Sequence, residues 1–436
     1  MIDKILLKEF IRDFHLKNLP VYTPREMDLS SPENKIRTLI GIRRSGKTYT
    51  FYQLIDNLIK SGIEKERILF INFEDERLLP FETQHFSLLL DAYYELFPAF
   101  KNKKVFLFFD EIQNITNWEK FVRRVHETEN VQINITGSSS NLLSKEIATA
   151  LRGRTFSFEI FPFSFIEFLK FNNISNDLYS SQNKAQIVNA FENYFFRGGF
   201  PEVLDCSEEF RIRILQDYFN MILYKDLIDR YDIRNHSLIK YLLKFLLSNN
   251  SNRFSVNKFV NDSKSQGYRF SKDSIHNYLS YLEDAYCFSF IQILSESKRK
   301  QQVNYKKIYA IDHGLVTATV ASRLYNSARL LESMVYNHLR QKFLREQIFY
   351  YKTTTGQEID FVIVARGEIT SLIQVCESLI DPVIKKRECE TLFQAMKELE
   401  KSESLIITRN ERDTVQSEGK YIKIIPFWQW MVENDY

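Results

Sequence analysis

A short stretch near the N-terminus combines the residue types that are needed to hold a nucleoside triphosphate. Residues 41–48 read G-I-R-R-S-G-K-T and match the phosphate-binding loop, or Walker A, pattern G-x-x-x-x-G-K-[ST]. The two glycines let the backbone wrap tightly and point its N–H groups at phosphates. Lys47 can reach the β- and γ-phosphates, and the hydroxyl of Thr48 can coordinate Mg²⁺. We therefore predict nucleotide contacts from Gly41, Ile42, Arg43, Arg44, Ser45, Gly46, Lys47, Thr48 and Tyr49.

The elements that flank this loop support the same interpretation. Residues 36–40 form an apolar run that fits a buried strand, and residues 49–59 place apolar side chains at helical spacing. Helical stretches separate the later apolar runs, which predicts parallel strands that are covered on both faces. These runs are 67–72, 104–110 and 131–136, with 156–160 as a candidate fifth strand.

Two adjacent acids follow the second of those runs. The apolar residues 105–109 end in Asp110 and Glu111, which is typical of a Walker B element. A buried parallel strand delivers such acids to its carboxyl end, where Asp110 can hold Mg²⁺ directly or through water. Glu111 would orient and deprotonate the attacking water. We therefore expect Thr48 and Asp110 to hold the metal. We also expect the strand that ends in the two acids to lie next to the strand that precedes the loop.

A polar segment after the following strand is a candidate sensor of the γ-phosphate. Residues 136–140 read T-G-S-S-S, and AAA-type ATPases place a polar sensor at this point. Ser138 is the preferred sensor residue, ahead of Ser139. A simple glycine-serine turn is the alternative.

Two arginines precede the candidate fifth strand. Residues 151–155 read L-R-G-R-T, and a guanidinium there could stabilise transition-state charge on a neighbouring subunit's γ-phosphate, as an arginine finger does. Arg154 is the first choice for this role and Arg152 the second. Solvated or ion-paired arginines are the alternative, and a finger that acts in trans requires a homo-oligomer.

These motifs occur in the order seen in a family of prokaryotic AAA-type ATP-binding proteins, which the chain resembles over roughly residues 36–430. Residues 161–165 (F-P-F-S-F) and the glycine-rich segment 197–202 (R-G-G-F-P-E) belong to the same resemblance. Members of the family fuse the ATPase to a C-terminal domain of unknown function. The resemblance therefore implies an ATPase that uses ATP and Mg²⁺, but it supplies no biological role.

The bulk properties of the chain exclude several classes of protein. A chain of 436 residues with 44% hydrophobic and 14% aromatic content can build two or three cores and is not disordered. A formal charge of +3 neither requires nor excludes nucleic acid as a partner. The four cysteines are scattered, which fits reduced, buried thiols. Charged residues interrupt the first 14 positions and no apolar run reaches bilayer length, so we expect a cytoplasmic protein without membrane contact.

The middle of the chain has the element order of a winged helix. A helical pattern over about 194–231 precedes three further helices and two strand-like runs, which predicts a helix-turn-helix variant with a hairpin. The helices are expected at 236–247, 256–262 and 272–284, and the strands at 287–294 and 307–311.

Binding of DNA by this region is one of two interpretations. The would-be recognition helix exposes only a thin set of base-reading side chains, Lys272, His276 and Asn277. The segment that joins the two strands could neutralise phosphates through Lys298, Arg299, Lys300, Lys306 and Lys307. The other interpretation is a domain for packing or protein contact that carries a solvated basic loop.

The last hundred residues resemble the restriction-endonuclease-like fold. A helix with Glu332 precedes three strands, a helix and a fourth strand, and in active members the second and third strands supply an Asp and a Glu-x-Lys. Asp360 fits the first position, but residues 374–376 read Q-V-C. An amide ligates Mg²⁺ weakly, and a thiol cannot replace the lysine charge. We therefore predict a catalytically silent fold, with a weak metal site at Glu332 and Asp360 as the alternative.

Together these patterns predict an α/β protein in which a P-loop NTPase sheet has helices on both faces. The expected domains are an N-terminal helical extension (1–35), the ATPase core (36–165), a helical region (166–235), a winged-helix-like domain (236–325) and a restriction-endonuclease-like domain (326–436). The leading hypothesis is an ATPase that couples hydrolysis to conformational change of its C-terminal modules. A nucleotide-gated DNA- or protein-binding regulator with negligible turnover is the alternative, and an ATP-dependent nuclease is the least favoured.

Overall fold

The computed structural model describes residues 2–137, 151, 153–265, 267, 270–320 and 326–433. The chain divides into two units, residues 1–161 and 162–436. Each unit has its own sheets and its own hydrophobic core.

A five-stranded parallel sheet forms the centre of the first unit. Its order is β2-β3-β4-β1-β5, so β4 lies between the strand that precedes the loop and the strand that ends in the acids. The expectation that those two strands are neighbours is therefore wrong. β3 and β4 are buried along their whole length because helices cover both faces of the sheet. The strands are β1 (Ile36–Ile40), β2 (Ile68–Asn72), β3 (Val105–Asp110), β4 (Val131–Gly137) and β5 (Thr155–Glu159).

Within the described residues of the first unit, four helices accompany this sheet, and each is amphipathic. In the last of them, Trp118, Phe121, Val122 and Val125 are buried, at the spacing of one helix face. The first helix packs on the unit, where His15 Nε2 lies 2.9 Å from the carbonyl oxygen of Ile68. The helices are α1 (Lys4–Leu16), α2 (Lys47–Lys60), α3 (His85–Leu96) and α4 (Trp118–Thr128).

The second unit opens with helices that are interrupted where a continuous helical pattern was predicted. The helix Ser181–Arg197 ends at Gly198, whose φ is 83°. The next helix, Glu208–Met221, begins after the N-cap Ser207 and continues as a π-helix over Ile222–Asp229. Gly198 has a positive φ and Pro201 lacks a backbone N–H, so neither residue continues a helix. Together they explain the break. A shorter helix, Phe165–Phe171, precedes them.

Three helices and a small antiparallel sheet follow. The sheet has the order β6-β8-β7, in which β6 and β7 both pair with β8. β6 was not predicted, because two residues carry no periodicity. A short helix between β7 and β8, Lys298–Val303, is called the basic helix below. The other elements are the helices His236–Ser248, Val256–Ser265 and Lys272–Asp284 and the strands β6 (Arg253–Phe254), β7 (Phe288–Ile291) and β8 (Lys306–Ala310).

A six-stranded mixed sheet completes the chain. β9, β10 and β11 are antiparallel, whereas β12 is parallel to both β11 and β14. The order is β13-β14-β12-β11-β10-β9. The strands are β9 (Ile348–Lys352), β10 (Glu358–Ala365), β11 (Glu368–Val375), β12 (Glu403–Thr408), β13 (Asp413–Ser417) and β14 (Lys420–Pro426). The helices are His313–Thr319, Ser327–Arg340, Pro382–Glu398 and Phe427–Glu433.

The predicted α/β fold class is confirmed, with a parallel sheet of the P-loop type, a helical region and a C-terminal mixed sheet. Among the described residues, no helix is both long enough and apolar enough to span a membrane.

Candidate nucleotide-binding site

The loop between β1 and α2 has the backbone geometry that its glycines allow. Gly41 and Gly46 have φ values of 135° and 97°, where residues with a side chain are rare. A Cβ atom on Gly41 would lie 2.3 Å from the carbonyl oxygen of Ile160, so no larger residue fits there. The buried Ser45 Oγ has no hydrogen-bond partner within the described part of the chain. These features fit a loop that receives a polar ligand.

The remaining loop residues differ in their exposure. Ile42 is buried, whereas Arg44 and Tyr49 are exposed. Arg43 is half-buried, and its NH1 lies 3.4 Å from Glu74 Oε1. Backbone N–H groups and the buried Lys47 are therefore better placed than the side chains of Arg43, Arg44 and Tyr49 to define the floor of the loop.

The lysine and the threonine of the loop both meet the acids that follow β3. Lys47 Nζ donates to the carbonyl oxygens of Gly41 at 3.2 Å and Ile42 at 3.1 Å, and it lies 3.9 Å from Glu111 Oε1. Thr48 Oγ1 donates to Asp110 Oδ2 at 2.7 Å. The structure thus brings together all four side chains on which the sequence interpretation depends.

Thr136 in β4 completes this group, although the sequence analysis did not select it. Its hydroxyl donates to Asp110 Oδ1 at 2.5 Å and accepts from the backbone N–H of Glu111 at 2.9 Å. The preferred sensor, Ser138, and its alternative Ser139 lie outside the described residues. The signal for Thr136 was its position near the carboxyl end of β4, within the same polar segment.

Glu111 is held by its backbone and by one neighbour. Its φ of 50° is left-handed and turns the chain sharply after β3. Gln113 Nε2 donates to Glu111 Oε2 at 2.5 Å, which orients the carboxylate. The sequence analysis missed Gln113, because nothing in its spacing distinguishes it from an ordinary loop residue.

Burial sets the charge state of Asp110. Burial, and then the charge of Glu111, raise its pKa to about 6, although the hydroxyls of Thr136 and Thr48 act in the opposite direction. Two carboxylates face the single ammonium of Lys47 in this site. The donor set of carboxylate and hydroxyl oxygens therefore fits a hard divalent cation such as Mg²⁺.

Arg25 was also missed, because residues 17–35 show no periodic pattern. Its guanidinium donates to the carbonyl oxygen of Ser45 in the loop and to that of Phe161 at 3.0 Å. Its backbone N–H donates to Gln53 Oε1 in α2 at 2.8 Å. The segment before β1 is thus fastened to the loop, to α2 and to the chain just after β5.

Arg154 lies away from the phosphate-binding loop of its own chain. Its NH2 donates to Glu127 Oε1 at 2.6 Å, and its carbonyl oxygen accepts from the N–H of Ile36 at 2.8 Å. Ile36 begins β1, whereas the loop follows its end, and a five-residue strand spans roughly 13 Å. The geometry therefore does not support an arginine finger in cis. Arg152 lies outside the described residues.

Glu332, from the helix Ser327–Arg340, and Asp360, from β10, come together, but around an ammonium group. Lys307 Nζ lies 2.5 Å from Glu332 Oε1 and 2.8 Å from Asp360 Oδ1. The prediction that Lys307 neutralises phosphates is therefore wrong, because its side chain is buried. Lys306 is half-buried, whereas Lys298, Arg299, Lys300, Lys272, His276 and Asn277 are exposed.

Family models match three consecutive parts of the chain. An AAA domain matches residues 33–169, one domain of unknown function (DUF8612) matches residues 188–324, and a second (DUF4143) matches residues 328–430. The AAA match includes the loop, both acids and Thr136.

Two solved structures align with parts of the chain at low sequence identity and low TM-score. The Aeropyrum pernix ORC1 protein in complex with DNA is 12% identical, with a TM-score of 0.29 over 66% of this chain and 87% of that one. AMPPCP-bound DnaA from Aquifex aeolicus is 11% identical, with a TM-score of 0.25 over 57% and 82%. Similarity at this level does not establish a shared function.

Two relatives without a known function are much closer in sequence. An uncharacterized protein of Methanocaldococcus jannaschii is 38% identical over 99% of this chain and 96% of its own length. An uncharacterized protein of Haemophilus influenzae is 30% identical over 77% of this chain and 80% of its own. The chain therefore belongs, with these relatives, to a family of AAA-domain proteins whose AAA domain is followed by domains of unknown function.

Proposed function

We propose that the chain is a Mg²⁺-dependent ATPase of the AAA type that couples hydrolysis to a conformational change of its C-terminal modules. One observation carries the proposal. Thr48 from the loop and Thr136 from β4 both donate to Asp110, while Lys47 lies 3.9 Å from Glu111. Side chains from three different strand ends thus converge on one point at the edge of the sheet.

The residues would divide the work as follows. Lys47 and the N–H groups of the loop would hold the phosphates of ATP, and Thr48 and Asp110 would hold Mg²⁺. When bound, the metal ion supplies charge stabilisation at the phosphoryl oxygens. Glu111, oriented by Gln113, would position a water molecule and accept its proton. Thr136 keeps Asp110 and the backbone of Glu111 in a fixed relation.

Phosphate release from ATP tests this proposal. We expect Glu111→Gln to lower turnover by roughly 10²–10⁴-fold, the usual contribution of a positioned base, while ATP affinity is retained. Lys47→Ala should lose ATP affinity itself. Glu76→Gln, at an exposed glutamate of the same unit, is the matched control. Slow wild-type release that Glu111→Gln leaves unchanged would favour the nucleotide-gated regulator instead.

A second candidate function is binding of DNA under control of the nucleotide. The observation that favours it is the basic helix, which places exposed Lys298, Arg299 and Lys300 side by side in the connection between β7 and β8. Each phosphate that a protein neutralises releases counterions, so affinity falls with salt.

Salt-dependent binding of duplex DNA separates this candidate from protein contact. Replacing Lys298, Arg299 and Lys300 by Gln should weaken binding at all sequences. It should also reduce the slope of log affinity against log salt by about 0.9 per lost contact. Exposed lysines of the first unit, at positions 60, 101 and 103, provide a charge-matched control. An unchanged slope would favour a protein partner.

A further inference from the structure

A lysine of β8 is enclosed by three carboxylates in the second unit. Lys307 Nζ lies 2.5 Å from Glu332 Oε1, 2.8 Å from Asp360 Oδ1 and 3.2 Å from Glu358 Oε1. Lys307 is only 2% exposed. We call these four residues the Lys307 cluster. Because they come from β8, β10 and the helix Ser327–Arg340, the cluster joins elements that are distant in sequence.

Neighbouring side chains aim the carboxylates inward. Glu358 and Asp360 are two residues apart in β10 and therefore point to the same face of the sheet. Tyr309 donates to Glu332 Oε1 at 2.7 Å, and Tyr305 donates to Glu358 Oε2 at 2.9 Å. A second oxygen of Asp360 accepts from the N–H of Val375 at 2.9 Å. Such an outer layer is typical of sites that hold a cation in a fixed place.

The charges of the cluster require a cation at its centre. Burial lowers the pKa of Lys307, but Asp360 and Glu332 together raise it well above its ordinary value, so the ammonium stays protonated. Arg253 NH2 lies 2.7 Å from Glu358 Oε2 and supplies the second positive charge. Three carboxyl groups therefore face two cations. Burial raises the pKa of Glu332 to about 7 even beside Lys307, so removal of Lys307 would leave a buried acidic pocket that takes up a proton unless another cation replaces the ammonium.

We propose that Lys307 is a built-in cation that takes the place of a divalent metal ion among Glu332, Glu358 and Asp360. An ammonium has three donors, and three carboxylates accept from it here. A metal ion needs oxygen ligands at about 2.0–2.6 Å in the same space, so it and the ammonium exclude each other. In the described residues the three carboxylates are arranged around the ammonium, and neither they nor any other group of three or more acidic, histidine or cysteine side chains forms a metal site while Lys307 is in place.

Backbone hydrogen bonds also attach the β7–β8 hairpin to the C-terminal sheet. Tyr350 in β9 accepts from the N–H of Leu294 at 2.7 Å and donates its own N–H to Gln292 at 3.1 Å. Lys307 makes the corresponding attachment at the start of β8, directly after the basic helix. The C-terminal sheet thus supports the strand that follows that helix, and the Lys307 cluster fastens β8 to β10.

Binding of Mn²⁺ to the nucleotide-free, full-length protein tests this inference without any dependence on ATP turnover. We expect wild type and Asp360→Asn to bind Mn²⁺ with the same stoichiometry in calorimetric titrations. Lys307→Met should gain one Mn²⁺ per chain, and Lys307→Met/Asp360→Asn should lose that gain. Lys298→Met, at an exposed lysine of the basic helix, should behave like wild type.

Two results would overturn the inference. The first is a Mn²⁺ site in wild type that disappears in Asp360→Asn. The second is a folded Lys307→Met protein that binds no additional Mn²⁺. If Lys307→Met folds only when Mn²⁺ is present, the metal has replaced the ammonium and the inference stands. If it folds under neither condition, the comparison of wild type with Asp360→Asn decides alone.

Discussion

At the scale of single residues, Asp110 is the side chain whose environment has the clearest consequence. It is 1% exposed and accepts from two hydroxyl groups, Thr48 Oγ1 and Thr136 Oγ1. Those two bonds stabilise the ionised carboxylate, but burial and the neighbouring Glu111 act against it more strongly. Ionisation of Asp110 therefore lowers the stability of the nucleotide-free protein. A cation bound beside the carboxylate would offset that loss.

This environment predicts a pH-dependent stabilisation by Asp110→Asn. The pKa of Asp110 is about 6 in the folded state, against an ordinary 3.8. The folded protein therefore gains stability from the protonated carboxyl group. This gain is complete below pH 3.8 and is lost as the pH rises through 6. At pH 8 the ionised group costs about 3 kcal/mol. We expect Asp110→Asn to raise the free energy of unfolding of the nucleotide-free protein by up to this amount at pH 8 and by almost nothing at pH 4. The measurement is denaturant unfolding at both values.

An exposed acid provides the control for this prediction. Asp91 is exposed on α3. Asp91→Asn should therefore leave the difference in the free energy of unfolding between pH 4 and pH 8 as it is in wild type. A stabilisation by Asp110→Asn that is equal at both pH values would contradict the assignment of a raised pKa.

The sequence was sufficient to find the residues whose roles are fixed locally, but not those fixed by the order of the strands. Lys47 and Thr48 follow from the spacing of one loop, and Asp110 and Glu111 follow from the end of one apolar run. The role of Thr136 depends on β4 lying beside β3, which the sequence alone does not reveal.

At the scale of elements, the glycine-rich segment after the helix Ser181–Arg197 packs closely against residues 312–314, and we call this contact the joint. The N–H of Gly199 donates to Asp312 Oδ2 at 2.7 Å, and the N–H of Gly314 donates to Asp312 Oδ1 at 2.8 Å. Asp312 thus caps the helix His313–Thr319 and also holds the two glycines. The joint explains in physical terms why small residues stand there.

Gly198→Ala should therefore destabilise the second unit strongly. The new Cβ would lie 2.3 Å from Asp312 Oδ1 and 2.7 Å from Gly314 Cα, at a φ of +83°. We expect a loss of roughly 3 kcal/mol or more in the free energy of unfolding, because backbone strain and overpacking add. Thermal unfolding of the full chain measures it.

Gly356→Ala separates strain from overpacking. Gly356 has a similar φ of +87°, but a Cβ there meets nothing within 4 Å. It should lose only about 1–2 kcal/mol, the cost of the left-handed backbone. Equal losses in the two variants would show that contact with Asp312 contributes nothing.

The elements that the sequence predicted are those with strong apolar patterns. β1 has the predicted bounds, and β3 and β4 agree with theirs within one residue. β13 was not predicted, since its five residues are mostly exposed and have no apolar alternation. The break at Gly198 was missed because apolar spacing continues across it, and only the φ value and the contact with Asp312 reveal it.

At the scale of the whole molecule, the division into two units limits what each part can do alone. The phosphate-binding loop, its acids and Thr136 all lie in the first unit, whereas the basic helix and the Lys307 cluster lie in the second. Arg154 belongs to the first unit, but its backbone lies beside the amino end of β1, whereas the loop follows the carboxyl end of that strand. If Arg154 takes part in hydrolysis, it therefore requires the loop of another copy of the chain.

This requirement predicts complementation between two inactive variants. Lys47→Ala lacks a competent loop and Arg154→Ala lacks the guanidinium, so each should turn over ATP at least on the order of 10³-fold more slowly than wild type. In a random mixed oligomer, one interface in four combines an intact loop with an intact Arg154. A 1:1 mixture should therefore recover about a quarter of wild-type turnover. Phosphate release after mixing measures this recovery.

Glu127→Gln distinguishes a finger from a structural ion pair. It removes the partner that Arg154 contacts at 2.6 Å within its own chain and leaves the guanidinium intact. If Arg154 acts on a neighbouring loop, Glu127→Gln should turn over ATP at nearly the wild-type rate, because the arginine gives up an exposed pair worth little. If the pair with Glu127 is the only role of Arg154, Glu127→Gln and Arg154→Ala should lose the same activity. The mixture of Lys47→Ala with Arg154→Ala should then recover no turnover. Because the two variants remove opposite partners of one contact, a single set of rates decides whether the active form of the protein is an oligomer.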